Sequence, residues 1–321
     1  MATRRLRAFL VAGAALVAAA TAFPAAAVAT APQIVCATPT GMASTAALAG
    51  LPAPRIIALS GSVPIVTMQA FAEFLIAMGY PEASLRDPRD GSLAKSSYTD
   101  SAELAGAVAW YYERDAMRPM LIGHSQGGML VVRTLHELAG DFHEAIPVFD
   151  PVAGRALDRT SIRDPYTQAE RPVVGVRVSF AAALATGALP RLLLGQWTML
   201  PRLRKIPDTA LEFTGFTVPW DPIAGNLATA EPYVATGSAE VRNVLLPATY
   251  THIGLPATEH LAAQPATRAW IDAYTPDSPP PLPDAATADV RNLVHAADLW
   301  HSIRVHWCRE GQRRLALRGP A

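Results

Sequence analysis

A serine framed by glycines is the clearest candidate for chemistry in this chain. Residues 123–128 read Gly-His-Ser-Gln-Gly-Gly, with an apolar run from Met120 to Ile122 before them and a helix-like run from Met129 to Ala139 after them. A strand that turns sharply into a helix presents such a serine hydroxyl above the sheet, facing the first helical N–H groups. The glycines are needed because a Cβ would clash where strand and helix approach closely. We expect Ser125 to be a nucleophile; the plainer alternative is a glycine-rich turn with a solvated serine.

A serine hydroxyl needs a base within hydrogen-bond reach, and the base needs an acid that orients it. Asp221 follows the predicted strand Leu211–Val218, and His252 follows the predicted strand Val241–Pro247. Both lie just beyond the carboxyl ends of strands, the edge at which doubly wound sheets hold their ligands. We predict that His252 is the base and Asp221 the acid. His260 is the runner-up base, but it lies further from a strand end.

A second carboxylate competes for the acid role. Asp150, in Phe149-Asp150-Pro151-Val152, follows the predicted strand Ala145–Phe149, one strand earlier than Asp221. We prefer Asp221 because it lies one strand before the histidine. The carboxylate that is not used is expected to be a turn residue, since Asp-Pro commonly starts turns.

Attack on a carbonyl also requires donors for the oxyanion that forms. One donor should be the backbone N–H of Gln126, which follows the nucleophile. The other should come from the loop after the first strand, Ser60-Gly61-Ser62-Val63, where Ser62 is our choice by position and Val63 is close behind. The alternative for this loop is a plain turn.

Strands and helices alternate along the chain, which predicts an α/β fold with a mostly parallel sheet and helices on both faces. Arg55–Leu59 is the predicted first strand, and Ile65–Tyr80 is a predicted helix with four large apolar side chains on one face. Asp100 and Glu103 have capping-box spacing at the start of a helix that runs to about Arg114. The proline-rich stretch 276–283 predicts a linker, and steps of three or four between apolar residues after it predict an amphipathic C-terminal helix within 276–321.

Residues 152–209 separate two predicted strands by more than one crossover needs. Two interpretations stay open: a cap over the site, with an apolar underside for acyl chains and a basic outer side, or helices packed on the core. The position of the segment favours the cap. Its apolar and basic members are Leu192, Leu193, Leu194, Trp197, Met199, Leu200, Arg191, Arg202, Arg204 and Lys205.

The first 29 residues have the three parts of a secretory signal peptide: a basic start, an apolar run and small-residue cleavage sites. The alternative is an uncleaved N-terminal membrane anchor, and the paired arginines raise twin-arginine export. Cleavage of residues 1–29 would remove Arg4, Arg5 and Arg7 and no acidic residue. The mature chain would then have 24 basic residues (27 − 3) and 27 acidic ones, a formal charge of −3. Nothing in this balance suggests nucleic-acid binding, for which a basic footprint would be expected. We expect a secreted or periplasmic protein with residues 30–321 as one domain.

Two cysteines, Cys36 and Cys308, lie near the ends of the mature chain. In an exported protein this arrangement favours a disulfide that joins the N-terminal arm to the C-terminal helix. The alternative is a pair of free buried thiols. Two cysteines alone do not indicate a metal site.

The chain resembles α/β-hydrolases of the bacterial secreted lipase and esterase type over residues 55–262. The resemblance is sharpest at Ile122–Gly128, and a second match is Val241–Val244 followed by Thr251–Leu255. The order serine, acid, histidine is that of this fold, whereas Ser60-Gly61 stands where members often have His-Gly.

The resemblance implies hydrolysis of carboxylic esters through an acyl-enzyme, without a cofactor. The implied partner is a small-molecule or lipid ester, with transient contact between the cap and a lipid surface. Two alternatives remain: an acyltransferase with the same residues, and a catalytically inactive binding module.

Overall fold

The computed structural model describes residues 35–38, 41–42, 45–63, 66–226, 231–284 and 289–317. The expected signal peptide, residues 1–29, lies outside these ranges. Within them, no helix is both long enough and apolar enough to cross a bilayer.

Five parallel strands form the central sheet, and their order across the sheet is the same as their order along the chain. They are β1 Ile56–Leu59, β2 Met120–His124, β3 Val178–Leu184, β4 Ala210–Thr217 and β5 Glu240–Leu245. All residues of β1, β2 and β3 are buried. This burial requires cover on both faces, as is usual for parallel sheets.

Seven helices lie in the described residues. They are α1 Thr45–Leu48, α2 Gln69–Met78, α3 Ser101–Asp115, α4 Gln126–Ala139, α5 Leu189–Leu193, α6 Pro265–Ala273 and α7 Leu293–Leu317. Single 3₁₀ turns occur at Glu82–Ser84, Trp197–Met199, His252–Gly254 and Glu259–Ala262. Four short strand pairs lie outside the central sheet: Ala37–Thr38 with Gly41–Met42, Phe149–Asp150 with Arg155–Ala156, Ser161–Arg163 with Glu170–Pro172, and Lys205–Ile206 with Val234–Ala235.

The sheet separates two apolar layers because side chains alternate between its faces along each strand. Met120 and Ile122 of β2 pack in one layer with residues of α2, α6 and α7, whereas Leu121 packs in the other with residues of α3 and α4. Helices therefore cover both faces, as the alternating pattern predicted. The end of β2, where Ser125 follows, lies between the ends of β1 and β3.

The prediction of a strand at Ala145–Phe149 is wrong. Only Phe149–Asp150 is extended there, and it pairs with Arg155–Ala156 rather than with the central sheet. The place between β2 and β4 belongs to β3, within the segment 152–209 that was expected to lie outside the sheet. Sequence patterns missed β3 because it contains three consecutive alanines, which have low strand propensity. Any inserted cap therefore comprises only residues before or after this strand.

The C-terminal helix α7 is tied to the body in two ways. Cys36 and Cys308 form a disulfide with a Cα–Cα distance of 5.4 Å, so the expected pairing is present. In addition, the buried Glu212 of β4 accepts hydrogen bonds from Ser302 (2.6 Å) and His306 (3.0 Å) of α7. Burial alone would raise the pKa of Glu212, but these bonds and the charges of His306 and Arg242 hold it at about 2.

Candidate active site

Ser125 occupies the turn between β2 and α4 in an unusual backbone conformation. Its φ is 55° and its ψ is −114°, a combination that residues with a Cβ rarely adopt. Strain of this kind persists only where surrounding structure imposes it, and it concentrates at functional sites. Here Ser125 N donates to Leu184 O of β3 (2.7 Å), and Thr186 Oγ1 donates to Ser125 O (3.0 Å), so both backbone polar groups of the serine are fixed.

Two glycines permit the close approach of β2, α4 and β1 at this turn. A Cβ on Gly123 would lie 2.3 Å from the backbone of Gly127. A Cβ on Gly127 would lie 2.2 Å from the carbonyl oxygen of Leu59 in β1. Both contacts are with backbone atoms that cannot move aside, so these positions require glycine.

The three side chains singled out as nucleophile, base and acid are connected by hydrogen bonds. His252 Nε2 lies 2.9 Å from Ser125 Oγ, and His252 Nδ1 lies 2.7 Å from Asp221 Oδ2. Asp221 Oδ1 accepts from the backbone N–H groups of Ile223 (3.1 Å) and Ala224 (3.0 Å). Because a carboxylate only accepts, Nδ1 of His252 carries the proton, and its Nε2 lone pair faces the serine hydroxyl.

The two alternative residues lie elsewhere. Asp150 Oδ1 accepts from the backbone N–H groups of Val152 (2.8 Å) and Ala153 (3.0 Å), the contacts of a turn residue. His260 pairs with Asp289, at 3.5 Å. Among the described residues, neither side chain has a hydrogen bond to Ser125, Asp221 or His252.

The loop after β1 lies beside the serine. A Cβ built on Gly61 would be 3.6 Å from Ser125 Cβ. The loop is anchored by Ser60 N, which donates to Lys95 O (2.9 Å), and by Ser97 Oγ, which donates to Gly61 O (3.1 Å). Ser62 follows Gly61 in this loop, and Val63 is exposed. Gln126 is the first residue of α4, where N–H groups lack partners within the helix.

His124, which sequence analysis did not single out, contacts the histidine at the site. Its ring packs 5.0 Å from the His252 ring, and its Nε2–H donates to the His252 carbonyl oxygen (2.8 Å). Burial, with the neighbouring His252, lowers the pKa of His124 to about 3 from its usual 6.5. A neutral His124 therefore fixes the backbone of His252 without adding a charge. The sequence feature that points to His124 is its place directly before Ser125.

Arg191 of α5 was expected on a basic outer side of the cap, and this expectation is wrong. Its side chain is buried and donates to the side-chain oxygens of Gln126 and Gln196. It has no ion pair within the described part of the chain, and burial lowers its pKa to about 10. Of the other basic members, Arg202 and Arg204 are half-buried and Lys205 is exposed. Four apolar members are exposed as well: Leu192, Leu193, Leu194 and Trp197. Met199 packs in the core with α3 and α4.

The start of α7 supports the loop that carries His252. Asn292 Nδ2 donates to the carbonyl oxygens of Gly254 (2.7 Å) and Ala257 (2.9 Å). His295 Nε2 lies 2.9 Å from Leu255 O, and burial lowers the pKa of His295 to about 4. The first residues of the C-terminal helix and the residue before it therefore bind three carbonyl oxygens of this loop. Across the described ranges, no group of three or more His, Cys, Asp or Glu side chains has a metal-binding arrangement.

Comparisons with known proteins give little. No protein-family model matches the chain, and no curated protein does. Among solved structures, one described as RedJ with a PEG molecule bound in its active site is similar at 16% identity and a TM-score of 0.31. The match covers 72% of this chain and 96% of that one. At this TM-score the similarity carries no argument about what this chain does.

Proposed function

We propose that this protein is an exported serine hydrolase of the α/β-hydrolase type that cleaves carboxylic esters. The observation that carries the proposal is the continuous hydrogen-bond series from Asp221 through His252 to Ser125, ending at a serine in a strained strand–helix turn. A serine hydroxyl is inert without such a base, and the base needs the carboxylate to hold its tautomer.

In this mechanism Ser125 Oγ attacks the ester carbonyl while its proton passes to His252 Nε2. The carboxylate of Asp221 stabilises the imidazolium that forms. The backbone N–H groups of Ser62 and Gln126 hold the oxyanion, which is the charge that develops only after attack. His252 then protonates the departing alcohol. Water then attacks the acyl-enzyme while its proton passes to His252. The acid leaves as its bond to Ser125 Oγ breaks, and Oγ takes the proton back from His252.

The proposed location follows from the signal-like residues 1–29 and from the disulfide, because disulfides persist mainly in oxidising compartments. The exposed apolar side chains after β3 support transient contact with a lipid surface. Leu193 is 78% exposed and Trp197 is 62% exposed, a cost in water that contact with lipid would remove.

The test is loss of reaction at the serine. We expect Ser125→Ala to lower hydrolysis of p-nitrophenyl butyrate by roughly 10³-fold or more while the melting temperature is kept. A fluorophosphonate probe should label the native protein and fail to label this variant. The exposed Ser278→Ala serves as the matched control and should retain both activities. A folded Ser125→Ala variant with near-native turnover would refute the proposal, and a native protein that the probe never labels would favour the inactive binding module.

A further inference from the structure

The order of the strands gives the surface around Ser125 two chemically different sides. Ser125 follows β2, which lies between β1 and β3. The loops after β3, β4 and β5 expose large apolar side chains: Leu189, Leu192, Leu193, Leu194, Trp197, Trp220, Ile223 and Ile253. The loop after β1, together with residues 92–101, which are hydrogen-bonded to it, is rich in hydroxyl groups. A substrate bound across Ser125 would meet apolar groups on one side. On the other side it would meet hydroxyl groups together with the exposed side chains of Val63 and Tyr98.

A cavity of about 360 Å³ lies on the β1 side. Eight of the twelve residues that line it carry a hydroxyl, amide or ammonium group: Ser60, Ser62, Thr67, Gln69, Ser92, Lys95, Ser96 and Tyr98. Gly61, which also lines this cavity, is the residue whose Cβ position is 3.6 Å from Ser125 Cβ. One wall of the cavity is therefore the loop residue that neighbours Ser125.

A second cavity, of about 210 Å³, is lined by Gln126 and by Ser97–Ser101. Tyr98 lines both cavities and is 69% exposed. The hydroxyls of Tyr98 and Ser62 have no hydrogen-bond partner among the residues that the structure describes. The exposed ring of Tyr98 is suited to pack against the C–H groups on the face of a saturated ring. The hydroxyl groups near Tyr98 could then form hydrogen bonds with hydroxyls at the edge of that ring.

The charged groups of the two cavities already have partners. Lys95 pairs with Asp87. Asp100 Oδ1 accepts from Ala102 N (2.8 Å) and Glu103 N (3.1 Å) as the cap of α3. The cation of the second cavity is Arg133, whose Nε lies 3.9 Å from a carboxylate oxygen of Glu137 in α4, an ion pair without a hydrogen bond at Nε. Paired charges favour a neutral ligand, because a phosphate or carboxylate would have to compete with them.

We propose that the β1 side binds the alcohol portion of the ester, and that this alcohol is a neutral polyol such as a sugar. The proposal rests on the proposed function, since it assigns the alcohol to the site of the same reaction. When the ester C–O bond breaks, the alcohol oxygen takes the proton held by His252 and the polyol leaves into these cavities. A second polyol bound there suits acyl transfer: its hydroxyl oxygen bonds to the acyl carbon while its proton passes to His252. The bond from the acyl carbon to Ser125 Oγ then breaks, and Oγ takes that proton.

The test compares three esters with one acyl chain: methyl 6-O-octanoyl-glucoside, monooctanoylglycerol and ethyl octanoate. We expect kcat/KM for a polyol ester to exceed that for the ethyl ester by tenfold or more. Tyr98→Ala should reduce this ratio about tenfold, and Tyr98→Phe should reduce it less. Leu282→Ala, at an exposed leucine of the linker 276–283, is the matched control that should leave the ratio unaltered.

The outcome also identifies the polyol, since a preference for the glucoside indicates a sugar and a preference for the glycerol ester a smaller polyol. Equal kcat/KM on the three esters, or an unaltered ratio in Tyr98→Ala, would overturn the inference. Absence of Ser125-dependent hydrolysis of all three would instead refute the proposed function.

Discussion

Replacing Asp221 by asparagine is the sharpest test of how the site is arranged. The carboxylate has two different environments: Oδ1 accepts from Ile223 N and Ala224 N, whereas Oδ2 faces His252 Nδ1 at 2.7 Å. Asparagine has one oxygen, and the two backbone donors require it at the Oδ1 position. Its NH₂ group must then point at His252 Nδ1.

This exchange of an acceptor for a donor reverses the tautomer of His252. Nδ1 becomes the acceptor, and the proton moves to Nε2, which then faces Ser125 Oγ and cannot take its proton. The same substitution in a serine–histidine–aspartate site costs about 10⁴ in kcat, or about 5.5 kcal/mol of transition-state stabilisation. We expect a loss of this size for Asp221→Asn, with little change in the melting temperature because the volume and the two backbone hydrogen bonds are kept.

The assay is kcat on p-nitrophenyl butyrate together with the rate of fluorophosphonate labelling. Asp150→Asn is a matched control, because Asp150 Oδ1 also accepts from two backbone N–H groups but has no histidine partner. It should keep kcat within about twofold. If Asp221→Asn stays within tenfold of the native rate, or if Asp150→Asn loses more, the proposed role of Asp221 is wrong.

Three further outcomes are expected. Replacing Cys36 and Cys308 by alanine removes a bridge between residues 272 apart in sequence and should lower the free energy of unfolding by ~2–5 kcal/mol; a loss below ~1 kcal/mol in urea titrations would contradict this prediction. Because folding lowers the pKa of Glu212 from 4.5 to about 2, its contribution, on the order of 3 kcal/mol, is present above pH 4.5 and is lost as the pH falls toward 2. Glu212→Gln should therefore destabilise the protein more at pH 6 than at pH 3, and equal effects at both would exclude this linkage. Changing Leu193 to Trp should alter the preferred acyl length while hydrolysis of acetate esters continues; the discrimination between short and long esters should change by ~1–3 kcal/mol. If kcat/KM falls equally on short and long esters, in step with the melting temperature, Leu193 has no acyl-binding role.

Sequence reasoning was strongest where a residue's neighbours along the chain determine its surroundings. Ser125 was identified from the glycines that its turn requires, and Asp221 and His252 from their places after strands. The structure joins these three side chains by hydrogen bonds. Their roles in a reaction remain predictions.

Sequence reasoning failed where distant contacts override local preference. The alanines of β3 have low strand propensity, but burial between β2 and β4 determines their conformation. Arg191 stands in a run of leucines, which suggested that the arginine would be outside and the leucines inside. Two glutamine side chains reverse this arrangement by accepting from its guanidinium, and Gln126 lies 65 residues away along the chain. No local pattern encodes such a contact.

The disulfide has a consequence for proteolysis of an exported protein. The segment 276–283 is largely exposed, and it lies between α6 and α7. A single cut there would break the chain before the helix whose first residues hold the His252 loop through Asn292 and His295. Because Cys308 stays bonded to Cys36, the severed helix would remain attached to the body. Release of α7 therefore requires both cleavage and reduction.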